Sequence, residues 1–304
     1  MLEEIVEFST VLGYSLLLLF KSMIASLIPN KFRHKDVSND IVLITGAGSG
    51  FGRELAIRFA KLGSKVVAWD NNPDGLAETE KIFKSKGLNC KSYVCDITDR
   101  NAVYSTAEKV KSEVGIVSIL INNAGVVFGG KFMSVSDEHT IKLFHVNALS
   151  HFWTIKAFLP DMRNQKKGHV VAVASIAGVG GSVALSAYCA TKHAVVGLQE
   201  SLSLESYFEG DYIKFTTICP FFMDTGMFKG VSTKLIPILD PSQTADTAMN
   251  SILLEKEIVF MPRWFYFVYP LKAMLPFTCI KPFYGVAKNE IMMDTFVGRA
   301  HNNN

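Results

Sequence analysis

Several signatures of metal and disulfide chemistry are missing from this sequence of 304 residues. Its five cysteines include no C-x-x-C pair, so the pattern predicts neither a disulfide framework nor a zinc site and favours a reducing compartment. No H-E-x-x-H motif occurs and the seven histidines lack ligand spacing, which predicts that no metal is bound. A formal net charge of +3 gives no reason to expect a nucleic-acid partner.

A glycine-rich turn follows the first strongly apolar strand pattern. Residues 41–44 are apolar and mostly β-branched, and the residues after them fit Thr-Gly-x-x-x-Gly-x-Gly at Thr45, Gly46, Gly50 and Gly52. A helix-compatible run follows at once. This strand, turn and helix can hold a dinucleotide, because turn glycines let the backbone approach a pyrophosphate and the helix start attracts the anion. No Gly-Lys-Ser/Thr closes the run, which excludes the phosphate loop of nucleoside triphosphatases.

The leading segment is apolar enough to meet a membrane. Ile5–Ile28 carries few charges, and its densest part, Val11–Phe20, is near the length of a spanning helix. It is expected to span or to lie in the interface, with Pro29 ending the helix; a buried core helix is the alternative, and a secretory signal is less favoured. A basic cluster follows at Lys31, Arg33, His34 and Lys35. That cluster favours a cytosolic position for the rest of the chain.

Strand and helix patterns alternate through the body of the chain. Strands are predicted over 41–45, 65–69, 91–95, 118–122, 169–174, 214–219 and 257–261, and helices over 52–62, 76–86, 102–113, 136–164, 187–208 and 242–254. The alternation predicts an α/β fold: a single Rossmann-like, doubly wound, mostly parallel sheet with helices on both faces, plus the N-terminal hydrophobic helix. The predicted segments are an anchoring helix (1–30), a basic linker (31–39), the Rossmann domain (40–261) and an aromatic C-terminal segment (262–304).

Polar residues end several of these strands, where ligands of such sheets bind. Asp70 follows the second strand and can accept hydrogen bonds from ribose hydroxyls while repelling the 2′-phosphate of NADP, which predicts NAD. Asp96 follows the third strand and is either an adenine contact or a plain helix cap. The fourth strand leads into Asn122-Asn123-Ala124-Gly125, a turn suited to brace the sheet and clear a cofactor.

A third set of residues predicts chemistry at a hydroxyl. Ser175 follows the fifth strand, and Tyr188 and Lys192 follow at i and i+4 of a helix, so they share one face. A free phenol has a pKa near 10, and a neighbouring ammonium together with a positive nicotinamide ring favours the phenolate. We therefore expect Tyr188 to act as a base, although such a pair taken alone is usually a solvated surface feature.

The glycine turn, the Asn122–Gly125 turn and the set of Ser175, Tyr188 and Lys192, together with Asn147, resemble the short-chain dehydrogenase/reductase family. Their order and spacing match that family from Asp40 to Met261. The resemblance implies four catalytic residues: Tyr188 as proton acceptor, Ser175 holding the substrate oxygen, Lys192 lowering the pKa of Tyr188 and holding the ribose, and Asn147 anchoring a water. It also implies cofactor contacts at Gly46, Ser49, Gly50, Phe51, Gly52, Asp70, Asp96, Ile97, Asn123, Ala124, Gly125, Tyr188, Lys192, Pro220 and Thr225.

One departure from the family pattern lies after the sixth strand. Phe221 stands where the family usually has glycine, which puts the local backbone in doubt, whereas Thr225 is in place. Aromatic and methionine residues here suggest a lipophilic, adaptable substrate pocket with candidate contacts at Ser175, Phe221, Phe222 and Met227; ordinary loop packing is the alternative. The aromatic, proline-interrupted tail is expected to meet a membrane interface, to cover the pocket or to form a dimer contact.

Within the family, five stretches resemble the membrane-associated group that contains retinol dehydrogenases and the 17-beta-hydroxysteroid dehydrogenases of lipid droplets. They are the apolar leader and residues 148–160, 219–222, 225–228 and 293–299. This resemblance implies NAD-dependent oxidation of a retinoid or steroid alcohol, first of all all-trans-retinol, on the cytosolic face of the endoplasmic reticulum or on lipid droplets. A homodimer is also expected. The alternatives are a hydroxysteroid or long-chain alcohol as substrate, reduction with NADPH, and a non-catalytic lipid-surface scaffold with a vestigial fold.

Overall fold

Two compact units make up the chain, divided between Asp36 and Val37. The structure is a computed structural model, and it describes residues 1–298; Arg299 and the rest of the predicted C-terminal segment lie outside the described residues. In the first unit, α1 (Leu2–Ser26) is long and apolar enough over Glu3–Ala25 to cross a membrane, by length and composition. The helix ends before Pro29, the predicted stop.

The second unit is built on a parallel sheet of seven strands in the order β3-β2-β1-β4-β5-β6-β7. The strands are β1 (Ile41–Thr45), β2 (Lys65–Asp70), β3 (Cys90–Val94), β4 (Ile119–Asn122), β5 (His169–Val173), β6 (Lys214–Pro220) and β7 (Ile258–Met261). From β1 the chain adds β2 and β3 on one side, and it then returns to add β4 to β7 on the other side. The strand order therefore reverses between the parallel neighbours β1 and β4, and their carboxyl ends form the crevice at which such sheets bind ligands.

Helices cover both faces of the sheet, which confirms the predicted fold class. They are α2 (Gly50–Lys61), α3 (Pro73–Ser85), α4 (Arg100–Glu113), α5 (Asp137–Phe144), α6 (Ser150–Asn164), α7 (Ser186–Glu209), α8 (Pro241–Leu253), α9 (Phe265–Met274) and α10 (Phe277–Val286). Side chains of α2, α3 and α8 form one core layer against the sheet, and those of α4, α6 and α7 form the other. The largest buried side chain, Trp69 of β2, packs on Phe158 of α6 at 5.7 Å.

Element ends differ from the predicted ones by a few residues, and the capping residues explain why. Asn72 caps α3 by accepting a hydrogen bond from the Gly75 amide at 3.1 Å, with Pro73 in the first turn, so the helix begins before its first apolar residue. The predicted helix 136–164 is instead α5, a π-helical turn at His145–Leu149, and α6. Strand β3 begins at Cys90 and ends at Val94, one residue earlier at each end than the predicted 91–95.

Candidate active site

The glycine turn between β1 and α2 is shaped by close backbone approaches. Gly46 and Gly50 have positive φ angles of 68° and 53°, which residues with a Cβ rarely adopt. A Cβ on Gly52 would lie 2.3 Å from the Gly46 carbonyl oxygen. The turn therefore needs glycine at these positions, and it leaves the start of α2 facing the crevice.

Asn123 and Thr45 lock the carboxyl ends of β1 and β4 together. The Thr45 hydroxyl accepts hydrogen bonds from the amides of Asn123 and Ala124 at 3.0 and 3.1 Å. In return, the Asn123 side-chain amide donates to the carbonyls of Thr45 and Gly46 at 2.9 and 3.3 Å. The predicted bracing turn thus fixes the floor of the crevice.

The Asp70 carboxylate stands beside the glycine turn. Its two oxygens accept hydrogen bonds from the amides of Gly48 and Asn72, at 2.9 and 3.0 Å. Arg53, which sequence reasoning missed, joins the same region by donating to the carbonyls of Gly48 and Gly75. Its position directly after the last turn glycine was the available signal. Asp70 therefore supports the turn and also lines the adjoining cavity.

A cavity of about 830 Å³ extends from the glycine turn along the ends of β2 and β3. Its lining includes the predicted cofactor contacts Gly46, Ser49, Asp70, Asp96, Ile97, Ala124 and Gly125. A side chain on Gly48 would clash with the Asp70 carboxylate, since its Cβ would lie 2.8 Å from Asp70 Oδ2. Glycines, a helix start and a carboxylate along one cavity fit a nicotinamide dinucleotide.

Some predicted cofactor residues have other surroundings. Gly50 and Gly52 form the turn beneath the cavity rather than its lining, and Asp96 accepts hydrogen bonds from the Thr98 amide and hydroxyl at 2.9 and 2.8 Å. Phe51, Asn123, Tyr188, Lys192, Pro220 and Thr225 line a second cavity. Both cavities share Ala124, Gly125, Val126 and Met227, so they adjoin at this end of the sheet.

Ser175, Tyr188 and Lys192 lie together in this second cavity. The Lys192 ammonium donates to the Val173 carbonyl at 2.9 Å and lies 5.7 Å from the centre of the Tyr188 ring. Ser175 caps the turn after β5 by accepting from the Ala177 amide at 3.1 Å, and its hydroxyl donates to the Pro220 carbonyl at 3.3 Å. The arrangement brings a hydroxyl, a phenol and an ammonium to one wall.

Burial has the largest effect on the pKa values of Tyr188 and Lys192. It raises the pKa of Tyr188 well above its ordinary value, against a lowering by the neighbouring Ser175 hydroxyl, and it lowers the pKa of Lys192 to about 8. Without a cofactor, desolvation therefore outweighs the effect of the Ser175 hydroxyl on the phenol. The lowering of the Tyr188 pKa by the ammonium and the nicotinamide ring stays a prediction for the loaded site.

Asn147 lies inside the π-helical turn between α5 and α6, and it is fully buried. Its side-chain oxygen accepts from the Val126 amide at 2.8 Å, and its nitrogen donates to the Val126 carbonyl at 2.9 Å and to the Thr191 hydroxyl at 3.3 Å. A π-turn often marks a functional position in a helix. Here it turns Asn147 toward the loop after β4, and a Cβ on Gly125 would lie 3.3 Å from its side-chain oxygen.

The second cavity has a volume of about 620 Å³ and mostly apolar walls. All four predicted substrate contacts, Ser175, Phe221, Phe222 and Met227, line it. Phe221 is not among the described non-glycine residues with positive φ, so the family's glycine is not needed for backbone conformation here. Its amide donates to the Met261 carbonyl at 2.8 Å, and its ring packs edge-on against Phe222 at 4.7 Å.

The far walls of this cavity come from α9, α10 and the residues after them. Lys272 of α9 donates to the Val179 carbonyl at 2.6 Å, and Asn289 and Met292 also line the cavity. Sequence reasoning marked the tail as a possible cover for the pocket but missed these three residues, since no motif or spacing distinguishes them. Their roles arise from contacts with segments about a hundred residues away.

Comparison with known proteins gives consistent matches. The family model for short chain dehydrogenase matches residues 40–235. Epidermal retinol dehydrogenase 2 from Homo sapiens is 46% identical over 270 residues, which cover 87% of each chain. Estradiol 17-beta-dehydrogenase 11 from Homo sapiens is 42% identical over 281 residues, covering 91% of this chain and 92% of that protein. A crystal structure of a short chain dehydrogenase/reductase from Burkholderia phymatum in complex with NAD is 26% identical, with a TM-score of 0.71, covering 77% of this chain and 93% of that one.

Proposed function

The chain belongs to the short-chain dehydrogenase family, and from that membership we propose that it oxidises a lipophilic alcohol with NAD, all-trans-retinol being the first candidate. The observation that carries the proposal is the group of Ser175, Tyr188 and Lys192 in an apolar cavity that adjoins the cavity of the glycine turn. An alcohol seated there has a proton acceptor and a hydroxyl within one site. Both contacts are directed at the same functional group of the substrate.

The reaction would proceed by removal of a proton and a hydride from one carbinol. Bound NAD would supply the hydride acceptor. The Ser175 hydroxyl would hold the substrate oxygen by a hydrogen bond, and Tyr188 would take the hydroxyl proton. Lys192, fixed by the Val173 carbonyl, would favour the phenolate and contact the ribose. Apolar walls would exclude water and hold the alcohol in position.

The carboxylate of Asp70 supports NAD over NADP. It lines the dinucleotide cavity beside Gly48, where a 2′-phosphate would meet a negative charge at short range. We expect a preference for NAD in kcat/KM, and we expect Asp70→Ser to shrink that preference by about tenfold or more, the effect of removing one close like-charge contact. A tenfold preference of the wild-type enzyme for NADP would contradict the assignment.

The substrate class is supported by the cavity walls and by the relatives. Aromatic and methionine side chains such as Phe221, Phe222 and Met227 offer large, adaptable apolar contact. A relative named retinol dehydrogenase favours a retinoid, whereas one named estradiol dehydrogenase favours a hydroxysteroid as the second candidate.

Turnover of all-trans-retinol and estradiol should be compared with detergent-supported protein and NAD. Retinol oxidation with a higher kcat/KM supports the first candidate, and turnover of estradiol alone supports the second. Absence of both activities, in a protein that still binds NADH, would favour a non-catalytic scaffold on a lipid surface.

Membrane association is supported by α1 and by the exposed aromatic residues of α9 and α10. The side chains of α1 are exposed through its apolar stretch, as suits a helix that enters lipid. We place the enzyme on the cytosolic face of the endoplasmic reticulum membrane, or on lipid droplets, because the basic residues after α1 favour that side. Family resemblance adds a homodimer formed through the two long helices beside the site.

A further inference from the structure

Residues 287–298, which we call the strap, follow α10 and run across the substrate side of the second unit. Met292 and Met293 of the strap are buried in one apolar cluster with Tyr188 and Phe222. A Cβ on Gly129, in the loop after β4, would lie 2.5 Å from Met293 Cε. The strap therefore packs against the loop after β4, the loop after β6 and the helix that carries Tyr188.

Hydrogen bonds hold the loop after β6 to the strap. The Ser232 amide donates to the Met292 carbonyl at 3.0 Å, and the Thr295 hydroxyl donates to the Gly230 carbonyl at 2.6 Å. Gly230 has a φ of 88°, and a Cβ there would lie 2.0 Å from the Thr295 carbonyl oxygen. This loop contributes Met227 and Phe228 to the cavity, so the strap fixes one of its walls.

A single side chain of the strap holds a second segment of the cavity wall. The Asn289 oxygen accepts from the Val183 amide at 2.8 Å, and its nitrogen donates to the Ser182 hydroxyl at 3.1 Å. Asn289 is 9% exposed, so both bonds are shielded from water. The same loop includes Ala184 at a φ of 61°, a strained conformation that persists only where surrounding contacts determine it.

We propose that Asn289 is a positioning residue for the substrate: it fixes the segment between Ser175 and Tyr188, and with it the part of the cavity wall that this segment forms. The proposal rests on the proposed alcohol oxidation for its kinetic consequence but not for its structural one. Residues 180–182 of this segment and Leu185 line the cavity. Loss of the two bonds releases a wall that faces the substrate and leaves the glycine turn untouched.

The test compares Asn289→Leu, which removes both bonds at similar volume, with Asn289→Asp, which keeps an acceptor for the Val183 amide. Glu290→Gln is the matched control, since Glu290 is the next residue and its side chain is exposed. We expect Asn289→Leu to raise KM for retinol by about tenfold, the effect of leaving the buried Val183 amide without its acceptor. We expect kcat and KM for NAD to stay within about twofold of wild type, Asn289→Asp to recover much of the loss, and Glu290→Gln to match wild type.

Hydrogen exchange gives a readout that does not depend on activity. Peptides covering 180–185 should exchange faster in Asn289→Leu than in wild type, with the Val183 amide most affected, while peptides of the glycine turn should not change. If exchange at 180–185 is unchanged, or if kcat and KM for NAD deteriorate as much as KM for retinol, the proposal is overturned. If wild type oxidises no alcohol but exchange at 180–185 accelerates as expected, the proposed function fails and the positioning role stands.

Discussion

The Tyr188 phenol is held in an environment that keeps it protonated in the protein alone. Its side chain is 5% exposed and packs edge-on against Phe228 at 5.9 Å. Desolvation raises its pKa, and the nearby Lys192 ammonium is itself destabilised by burial. We therefore expect base chemistry at this phenol to require the positive charge of a bound nicotinamide, so that proton removal occurs only in the loaded active site.

Removal of the Tyr188 hydroxyl tests its role directly. We expect Tyr188→Phe to lower kcat for alcohol oxidation by about a thousandfold or more, because a general base supplies roughly two to four orders of magnitude and no other described group replaces it. NADH binding, measured by fluorescence, should stay within about twofold. Tyr207→Phe is the control, since Tyr207 lies on the same helix with an exposed side chain. Equal activities in the two variants would exclude Tyr188 as the base.

Burial of Lys192 predicts a rise in stability with pH. Its pKa falls from 10.5 to about 8 on folding, so between these values the unfolded chain binds a proton that the folded chain does not, and the free energy of unfolding increases. The full gain is about 3 kcal/mol. The Tm of wild type minus the Tm of Lys192→Met should therefore increase as the pH is raised from 7.5 to 10. Movement in the opposite direction would contradict the lowered pKa.

The helices and strands around the sheet can be predicted from local sequence patterns. The places where the prediction differs from the structure are set by capping residues and by contacts with distant residues. β1 is predicted to the residue because apolar, β-branched residues end abruptly at glycine. Capping residues such as Asn72 and Asp99 start helices earlier than the apolar periodicity does. The π-turn at Asn147 has no sequence signal of its own, because it is stabilised by the distant Val126 and Thr191.

Replacement of glycine by alanine should have opposite effects on Tm at two helix positions. Alanine favours helix by about 1 kcal/mol over glycine, so Gly197→Ala in α7, where a Cβ meets nothing within 4 Å, should raise Tm by about 2 °C. Gly52→Ala in α2 should instead lower Tm and weaken NADH binding, because its Cβ would lie 2.3 Å from the Gly46 oxygen. Thermal unfolding with and without NADH measures both. Equal changes in Tm for the two variants would show that helix propensity, rather than packing of the glycine turn, determines the effect of alanine at Gly52.

The two halves of the candidate site differ in how far they can be predicted from the sequence. The cofactor side is made of short contiguous motifs, such as Thr45 to Gly52, whose residue spacing determines the local backbone conformation. The substrate side is assembled from segments far apart, for example Val183 with Asn289 and Val179 with Lys272. No periodicity or motif links such pairs, so only the folded chain reveals them. Substrate choice is therefore a property of tertiary contacts.

The apolar cavity and an exposed apolar face share residues of α9 and α10. Phe283 and Leu271 line the cavity yet remain 66% and 48% exposed, and Phe267 on the same pair of helices is 80% exposed. A cavity that opens among exposed aromatic residues can receive a lipophilic alcohol directly from lipid. This predicts that the second unit binds membranes without α1.

A chain lacking residues 1–30 should therefore still float with phospholipid vesicles in a density gradient. Adding Phe267→Ser and Phe283→Ser should lower its vesicle partition coefficient by about tenfold or more, because each buried phenylalanine contributes roughly 1.5–3 kcal/mol. Phe208→Ser is the control: Phe208 is 82% exposed but belongs to α7. If the shortened chain stays in the aqueous fraction, or if the control loses as much binding, α9 and α10 do not form the lipid-binding face, and α1 alone must bring the enzyme to its substrate.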